Sequence, residues 1–289
     1  MRHFPDSELI INADGSIFHL HLKPKQLANT VLLVGDPGRV DLIAGYMDSI
    51  EHRVQNREFV TVTGYYRQKR ISVVATGIGT DNIDIVLNEL DALVNIDLDT
   101  RREKSEKTSL RLIRIGTCGG LQPDIPVGSF LISEKSLGLD GLIYFYEGNE
   151  QIRDMGFENA FVAQQQWTSP LNHPYVVTAD PALVQQIGRK DMMRGVTITA
   201  NGFYGPQGRT LRCDLAKKDI NSLLRSFRYG SHRITNYEME SAAVAGLGAL
   251  LGHQAMTVCV VIANRFAGEA KTDYQTAMRN LIQNVLDRL

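Results

Sequence analysis

Little is in excess in this 289-residue chain. It has only three cysteines, Cys118, Cys213 and Cys259, with no C-x-x-C pair and no even framework. That excludes a disulfide scaffold and points to a reducing compartment. A surplus of one charge is missing too: 31 Lys and Arg against 32 Asp and Glu leave a formal net charge of −1. Proteins that live on nucleic acid or an anionic membrane need a basic excess, so those classes are set aside. No apolar run approaches the roughly 20 residues that span a bilayer. The N-terminal MRHFPDSELIINADGSIF carries Asp6, Glu8 and Asn12 where a signal peptide is apolar, so a cytoplasmic location is expected. No internal repeat or G-x-G-x-x-G fingerprint is found. With 43% hydrophobic residues the chain can bury its core without a metal or disulfide staple.

What is present is an alternation of short β-branched runs with helical patterns, which predicts an α/β fold. Val31–Val34 is an apolar strand running into Gly35-Asp36-Pro37-Gly38, with a helix from Pro37 to about Asp48. Segments 58–66 and 70–76 read as a hairpin. Over 81–96, Ile83, Val86, Leu87, Leu90, Leu93 and Val94 share one helical face. Strands follow at 110–116 and 129–137. Further on come a helix near 181–193, a strand at 195–200, a helix near 214–226 and a small-residue helix at 238–251. Strand Met256–Ala263 and a terminal helix at 272–288 complete the pattern. The charged stretch 97–109 reads as a solvated loop, and 138–176, with little periodicity, as a long loop or lid. Continuous apolar strands predict a central sheet, mixed in direction, covered by helices on both faces, within one domain over 1–289.

Four segments hold chemistry-bearing residues. Gly35-Asp36-Pro37-Gly38-Arg39 follows a strand; glycine lets backbone N–H groups approach an anion, and Arg39 lies one turn into the helix. By itself such a strand–glycine–helix turn is more often a plain connection. Arg114 interrupts a buried strand ahead of Thr117, Cys118, Gly119 and Gly120, and a buried guanidinium needs an anionic partner. Cys118 has no local base and reads as packing. In Asn236–Ser241, Glu238 and Glu240 stand two apart at a helix start, facing different ways, with Met239 between them. They suit either a sugar diol or the helix dipole. Phe203, Gln207 and Arg209 supply a flat ring, an amide and a guanidinium, a set that suits a pyrimidine's amide edge or an ordinary surface turn.

In order, these segments resemble the nucleoside phosphorylase family, in its pyrimidine-preferring uridine phosphorylase branch. The resemblance runs over about 250 residues through Phe18-His19-Leu20, Gly35-Asp36-Pro37, Arg57-Glu58-Phe59, Ala75–Gly79, Arg114–Thr117, Phe203–Arg209, Asn236–Ser241 and Val261–Arg265. It implies a phosphate subsite of Gly35, Arg39, Arg114 and Thr117, joined by Arg57 from a neighbouring subunit. It also implies a ribose subsite of Glu238, Met239 and Glu240 with His19 from the neighbour at the 5′-hydroxyl. Phe203, Gln207 and Arg209 would hold the base, with Arg114, Glu240 and Arg209 carrying the catalysis.

The implied reaction is reversible phosphorolysis of uridine to uracil and ribose 1-phosphate, in nucleoside salvage. Phosphate is the co-substrate, no metal or organic cofactor is required, and the active unit is at least a dimer and expected to be a hexamer. Some bacterial members hold a monovalent cation between subunits at positions matching Glu58, Ile78 and a serine; here Asn82 replaces that serine. Purine-preferring members carry an Asp after the last strand, where this chain has Asn264-Arg265. The alternatives are a purine nucleoside phosphorylase, a nucleosidase and a non-enzymatic nucleoside-binding protein.

Overall fold

The computed structural model describes residues 2–168, 170–270 and 273–289. Its strands are β1 (Thr30–Val34), β2 (Ser49–Asn56), β3 (Phe59–Tyr66), β4 (Lys69–Ala75), β5 (Ile96–Asp97), β6 (Arg102–Glu103), β7 (Arg111–Gly120) and β8 (Phe130–Gly138). They continue with β9 (Tyr175–Thr178), β10 (Met192–Thr199), β11 (Arg228–Tyr229), β12 (His232–Glu238), β13 (Gln254–Asn264) and β14 (Glu269–Ala270). The helices are α1 (Pro37–Ala44), α2 (Thr80–Asn95), α3 (Met155–Gln165), α4 (Pro181–Ile187), α5 (Ile220–Ser226), α6 (Ser241–Leu250) and α7 (Gln275–Arg288).

One mixed sheet runs in the order β11-β12-β10-β8-β13-β7-β1-β4-β3-β2. Both its faces are buried, and the alternation shows it. Along β1, Val31 and Leu33 enter one core cluster, while Leu32 and Val34 enter the other. Helices α2 and α6 cover the first face; α1, α4 and α7 cover the second. In α6 the small residues permit close approach: a Cβ on Gly248 would lie 2.6 Å from that of Ala255 on β13.

The sheet also closes on itself. Asn236 and Tyr237 of β12 pair antiparallel with Gly120 and Gly119 of β7, so β12, β10, β8, β13 and β7 form a ring. This closure joins the C-terminal ends of β12 and β7, and it is what assembles the site.

Several boundaries differ from the sequence reading. Strand β2 has no counterpart in it, because an edge strand bearing Glu51, His52 and Arg53 is largely exposed and has no apolar alternation. The first helix stops at Ala44, not Asp48. The helix read at 181–193 ends at Ile187, and β10 takes over from Met192. The helix near 214–226 starts only at Ile220, and the one read at 238–251 starts at Ser241, because Glu238 ends a strand. The 138–176 stretch is no open lid: it holds α3, capped by the Asp154 side chain, and β9. Phe157 and Phe161 of α3 are fully buried. The 97–109 loop contains the β5–β6 hairpin, joined to the N-terminal arm through the His3–Arg102 bridge. Residue 169 of the expected loop and 272 of the expected terminal helix lie outside the described residues.

Candidate active site

Arg114 sits at the centre, its side chain 5% exposed. Its Nη1 lies 3.1 Å from Glu238 Oε2, and its Nη2 donates to Glu240 Oε2. The two carboxylates are therefore neither on a helix nor turned apart, as their spacing suggested. Both leave the end of β12 and converge on one guanidinium. Burial works against the cation, but the two carboxylates outweigh it and raise the Arg114 pKa. A Cβ on Gly116 would fall 2.3 Å from Arg114 Nη1 and 3.1 Å from Cys259 Sγ, so only glycine leaves room for this side chain.

The two glutamates have different duties. Glu238 is saturated: it accepts from the hydroxyls of Thr199 and Ser241 and from the backbone N–H groups of Glu240 and Ser241. It acts as an internal cap for α6. Among the described residues, Glu240 accepts only from Arg114 and, at 2.7 Å, from the Gly79 N–H. Burial raises the Glu240 pKa, Arg114 opposes that, and the neighbouring Glu238 adds to it. A carboxylate has about four lone-pair sites, so Glu240 keeps acceptor capacity for a further ligand.

Arg39 lies in the same wall. It is buried, and its Nη1 donates to the Ile115 carbonyl at 3.1 Å. Burial, and then the charge of Arg114, lower its pKa. Among the described residues no carboxylate pairs with Arg39, and Arg114 Nε is buried without a partner. Gly35 packs against the 75–79 loop, where a Cβ would meet the Gly77 carbonyl at 3.3 Å, and Thr117 is half-buried on β7. A cavity of about 330 Å³, lined by Asp36, Gly38, Arg39, Tyr274 and Arg279 among others, borders Arg39 on its α7 side. Two cations with spare donors, beside glycine-exposed backbone, have the chemistry that suits an anion.

The second cluster is built on the 203–209 turn. Arg209 Nη1 donates to Gln207 Oε1 at 2.8 Å and to the Phe203 carbonyl. The Arg209 guanidinium lies 3.7 Å from the Phe203 ring centroid. Gln207 is buried and Phe203 half-exposed. Arg265, given no role from sequence, donates to the Gln207 carbonyl and stands 5.5 Å from the Tyr237 ring centroid. Burial, then Arg209, push its pKa down to about 10. The only sequence signal for it is an arginine directly after an apolar strand. Asn264 is a structural pin: its amide donates to the Gln122 and Ile125 carbonyls, and its oxygen accepts from Phe266 and Ala267.

His19 and Arg57 form a third group. The Arg57 guanidinium lies 5.5 Å from the Phe18 ring centroid, and Phe18 packs edge-on against His19 at 4.7 Å. No hydrogen bond or ion pair among the described residues joins them to Arg114, Glu240 or Gln207. The 18–22 segment is held by Leu20 and Leu22, which are buried anchors, and His21 takes a positive φ of 56°. Arg57, Glu58 and Ile78 are exposed, and Met239 is half-buried beside Glu240. Among the described residues no cluster of three His, Cys, Asp or Glu side chains has the geometry of a metal site. No described helix is long and apolar enough to cross a membrane.

The chain as a whole is similar to known nucleoside phosphorylases. A uridine phosphorylase of Thermococcus kodakarensis is 30% identical over 266 residues, covering 92% of this chain and 84% of the relative. A DeoD-type purine nucleoside phosphorylase of Thermoanaerobacter is 28% identical over 278 residues, covering 93% and 97%. Among solved structures, a Trypanosoma brucei nucleoside phosphorylase that shows uridine phosphorylase activity superposes with a TM-score of 0.86 at 29% identity, covering 97% of this chain and 99% of that one. The family model described as the phosphorylase superfamily matches residues 29–289, and the chain belongs to that superfamily.

Proposed function

We propose that the protein catalyses the reversible phosphorolysis of uridine to uracil and ribose 1-phosphate. The observation that carries this reading is the pair of buried arginines with unused donors, Arg39 and Arg114, beside a carboxylate with spare acceptor capacity, Glu240. Phosphate would bind Gly35, Arg39, Arg114 and Thr117, with Arg57 of a neighbouring subunit completing the shell. Glu240 would accept from the ribose hydroxyls, Met239 would pack on the sugar, and Glu238 would hold Arg114 and the helix start in place. Gln207 and Arg209 would bind uracil over Phe203, and Arg265 supports that turn from behind.

Cleavage of the glycosidic bond builds positive charge on the ribose and negative charge on the leaving uracil. Phosphate attacks the anomeric carbon from the opposite face and inverts it, while its charge stabilises the developing cation. Arg209 and Gln207 stabilise the departing base through hydrogen bonds. Positioning and fixed charge do most of this work. His19 and Arg57 share one partly exposed group through Phe18, which supports their donation together across a subunit interface and hence a dimer as the smallest active unit. The location is taken as cytoplasmic.

The test follows uridine and inosine cleavage with and without millimolar phosphate. Phosphate-dependent loss of uridine with formation of ribose 1-phosphate is the expected result. Preference for inosine would keep the anion site and overturn the base assignment; cleavage without phosphate would make the enzyme a nucleosidase. No cleavage of either would return it to a binding protein.

A further inference from the structure

We infer that Glu89 is a positioning residue for the ribose end of the site: it fixes the ring orientation and tautomer of His19. The inference rests on the reading above that His19 meets the ribose 5′-hydroxyl of a neighbouring subunit's substrate. Glu89 lies on α2 with its side chain 13% exposed. Its carboxylate meets three different nitrogens. Oε1 accepts from the His19 backbone at 2.9 Å and faces His19 Nδ1 at 2.7 Å; Oε2 accepts from Leu20 N–H at 2.8 Å. The His19 carbonyl is held in turn by Asn56 Nδ2 at 2.8 Å. Phe18 and Phe59 meet the imidazole edge-on at 4.7 and 6.4 Å.

An ionised carboxylate can only accept. Its contact with Nδ1 therefore requires the proton on Nδ1, which leaves Nε2 of the neutral ring as an acceptor. An acceptor at Nε2 takes a hydrogen bond from the 5′-hydroxyl and leaves the hydroxyl oxygen free for another donor. Without Glu89 the ring could rotate or carry its proton on Nε2, and that contact would be lost or reversed. Glu89 also anchors the backbone at residues 19 and 20, so the test must separate positioning from plain structural support.

The experiment compares kcat/KM for uridine and for 5′-deoxyuridine, which lacks only the hydroxyl in question. One well-made hydrogen bond predicts that the wild-type protein prefers uridine by about five- to tenfold. Glu89→Gln keeps an oxygen for the backbone N–H groups but offers Nδ1 an amide donor, which favours the Nε2–H tautomer. It should lower that preference to about twofold or less, without raising KM for phosphate. His19→Ala should do the same, and the double variant should show no further loss.

If His19→Ala abolishes the preference while Glu89→Gln keeps it, Glu89 is structural support only and the inference fails. If the wild-type protein shows no preference, or His19→Ala retains it, the assignment of His19 fails and takes this inference with it; phosphorolysis itself would stand. Should Glu89→Gln not fold, the ¹⁵N imidazole signals of His19 in the wild-type chain, assigned by their loss in His19→Ala, decide the matter. A protonated Nδ1 with a bare Nε2 is expected, and the opposite tautomer overturns the inference.

Discussion

Replacing Arg114 with methionine keeps most of the side-chain volume and removes the charge that two buried carboxylates share. The Glu238 and Glu240 side chains are 1% and 4% exposed. Removing one partner of a buried ion pair typically destabilises by about 3–5 kcal/mol, because the other charge stays buried and unpaired. Glu238 keeps its four other hydrogen bonds, so the strain falls on Glu240, which would retain only the Gly79 N–H. At about 2–4 °C per kcal/mol for a chain of this size, the melting temperature should fall by roughly 10 °C.

The pH dependence gives the sharper signature. Burial holds the Glu240 pKa above its unfolded value, and Arg114 is the main influence pulling it back. Without Arg114 it rises further. A carboxyl whose folded pKa is raised binds more protons folded than unfolded, so stability falls as pH rises from the unfolded pKa through the raised one. Every tenfold weakening of the acid in the folded chain costs about 1.4 kcal/mol of stability once the pH is above both pKa values. Arg114→Met should therefore regain part of its deficit, relative to wild type, when melted at pH 5.5 rather than pH 8. Arg114→Met/Glu240→Gln should recover stability at pH 8 and lose that difference. A melting temperature within a degree of wild type, flat across this range, would refute the charge accounting. So would a double variant no better than the single one. The Met variant should also lose at least about 10²-fold in kcat/KM for phosphate.

Other variants probe the remaining groups. Gly116→Ala places a methyl against Arg114 Nη1 and Cys259 Sγ, so it should raise KM for phosphate by about tenfold or more; an unchanged KM would mean that Arg114 is free to move aside. Gln207→Ala should lower kcat/KM for uridine by about 10²-fold and narrow the preference for uridine over inosine, since a site built to hydrogen-bond a base discriminates through those bonds; equal losses with both nucleosides would remove Gln207 from base recognition. Finally, Arg57→Ala and Arg114→Ala, each inactive alone, should regain roughly a quarter of wild-type activity when refolded together. Half of randomly paired dimers are mixed, and each mixed dimer has one intact site. No recovery would place Arg57 in its own subunit's site.

Much of the frame was readable because its signals are local. The Val31–Val34 strand, the Pro37 helix start and the one-sided apolar face of α2 each need only a short window of residues. The failures share a physical cause. Strand β2 is an edge without a buried side, α3 shows little amphipathic contrast, and Gly188 separates α4 from a strand that opens on Met192 and Met193. Local pattern has nothing to act on where burial is decided by distant neighbours.

The site shows the same division more sharply. Residue types at single positions were legible: an arginine inside a buried strand demanded an anion, and Arg114 indeed has two. Which anions, and at what cost to their availability, was not, because 124 residues separate Arg114 from Glu238 and only the pairing of β12 with β7 brings them together. That pairing also reverses the meaning of the two carboxylates. Read on a helix, Glu238 and Glu240 diverge; placed at a strand end, they meet on one cation, one saturated by backbone and hydroxyl donors and the other left with room to accept. Arg39 has no such partner, so the wall carries a cation whose charge nothing in the described chain neutralises directly. An arriving dianion would answer that charge without having to displace Glu240, which stays free to hold the sugar while the arginines hold the phosphate.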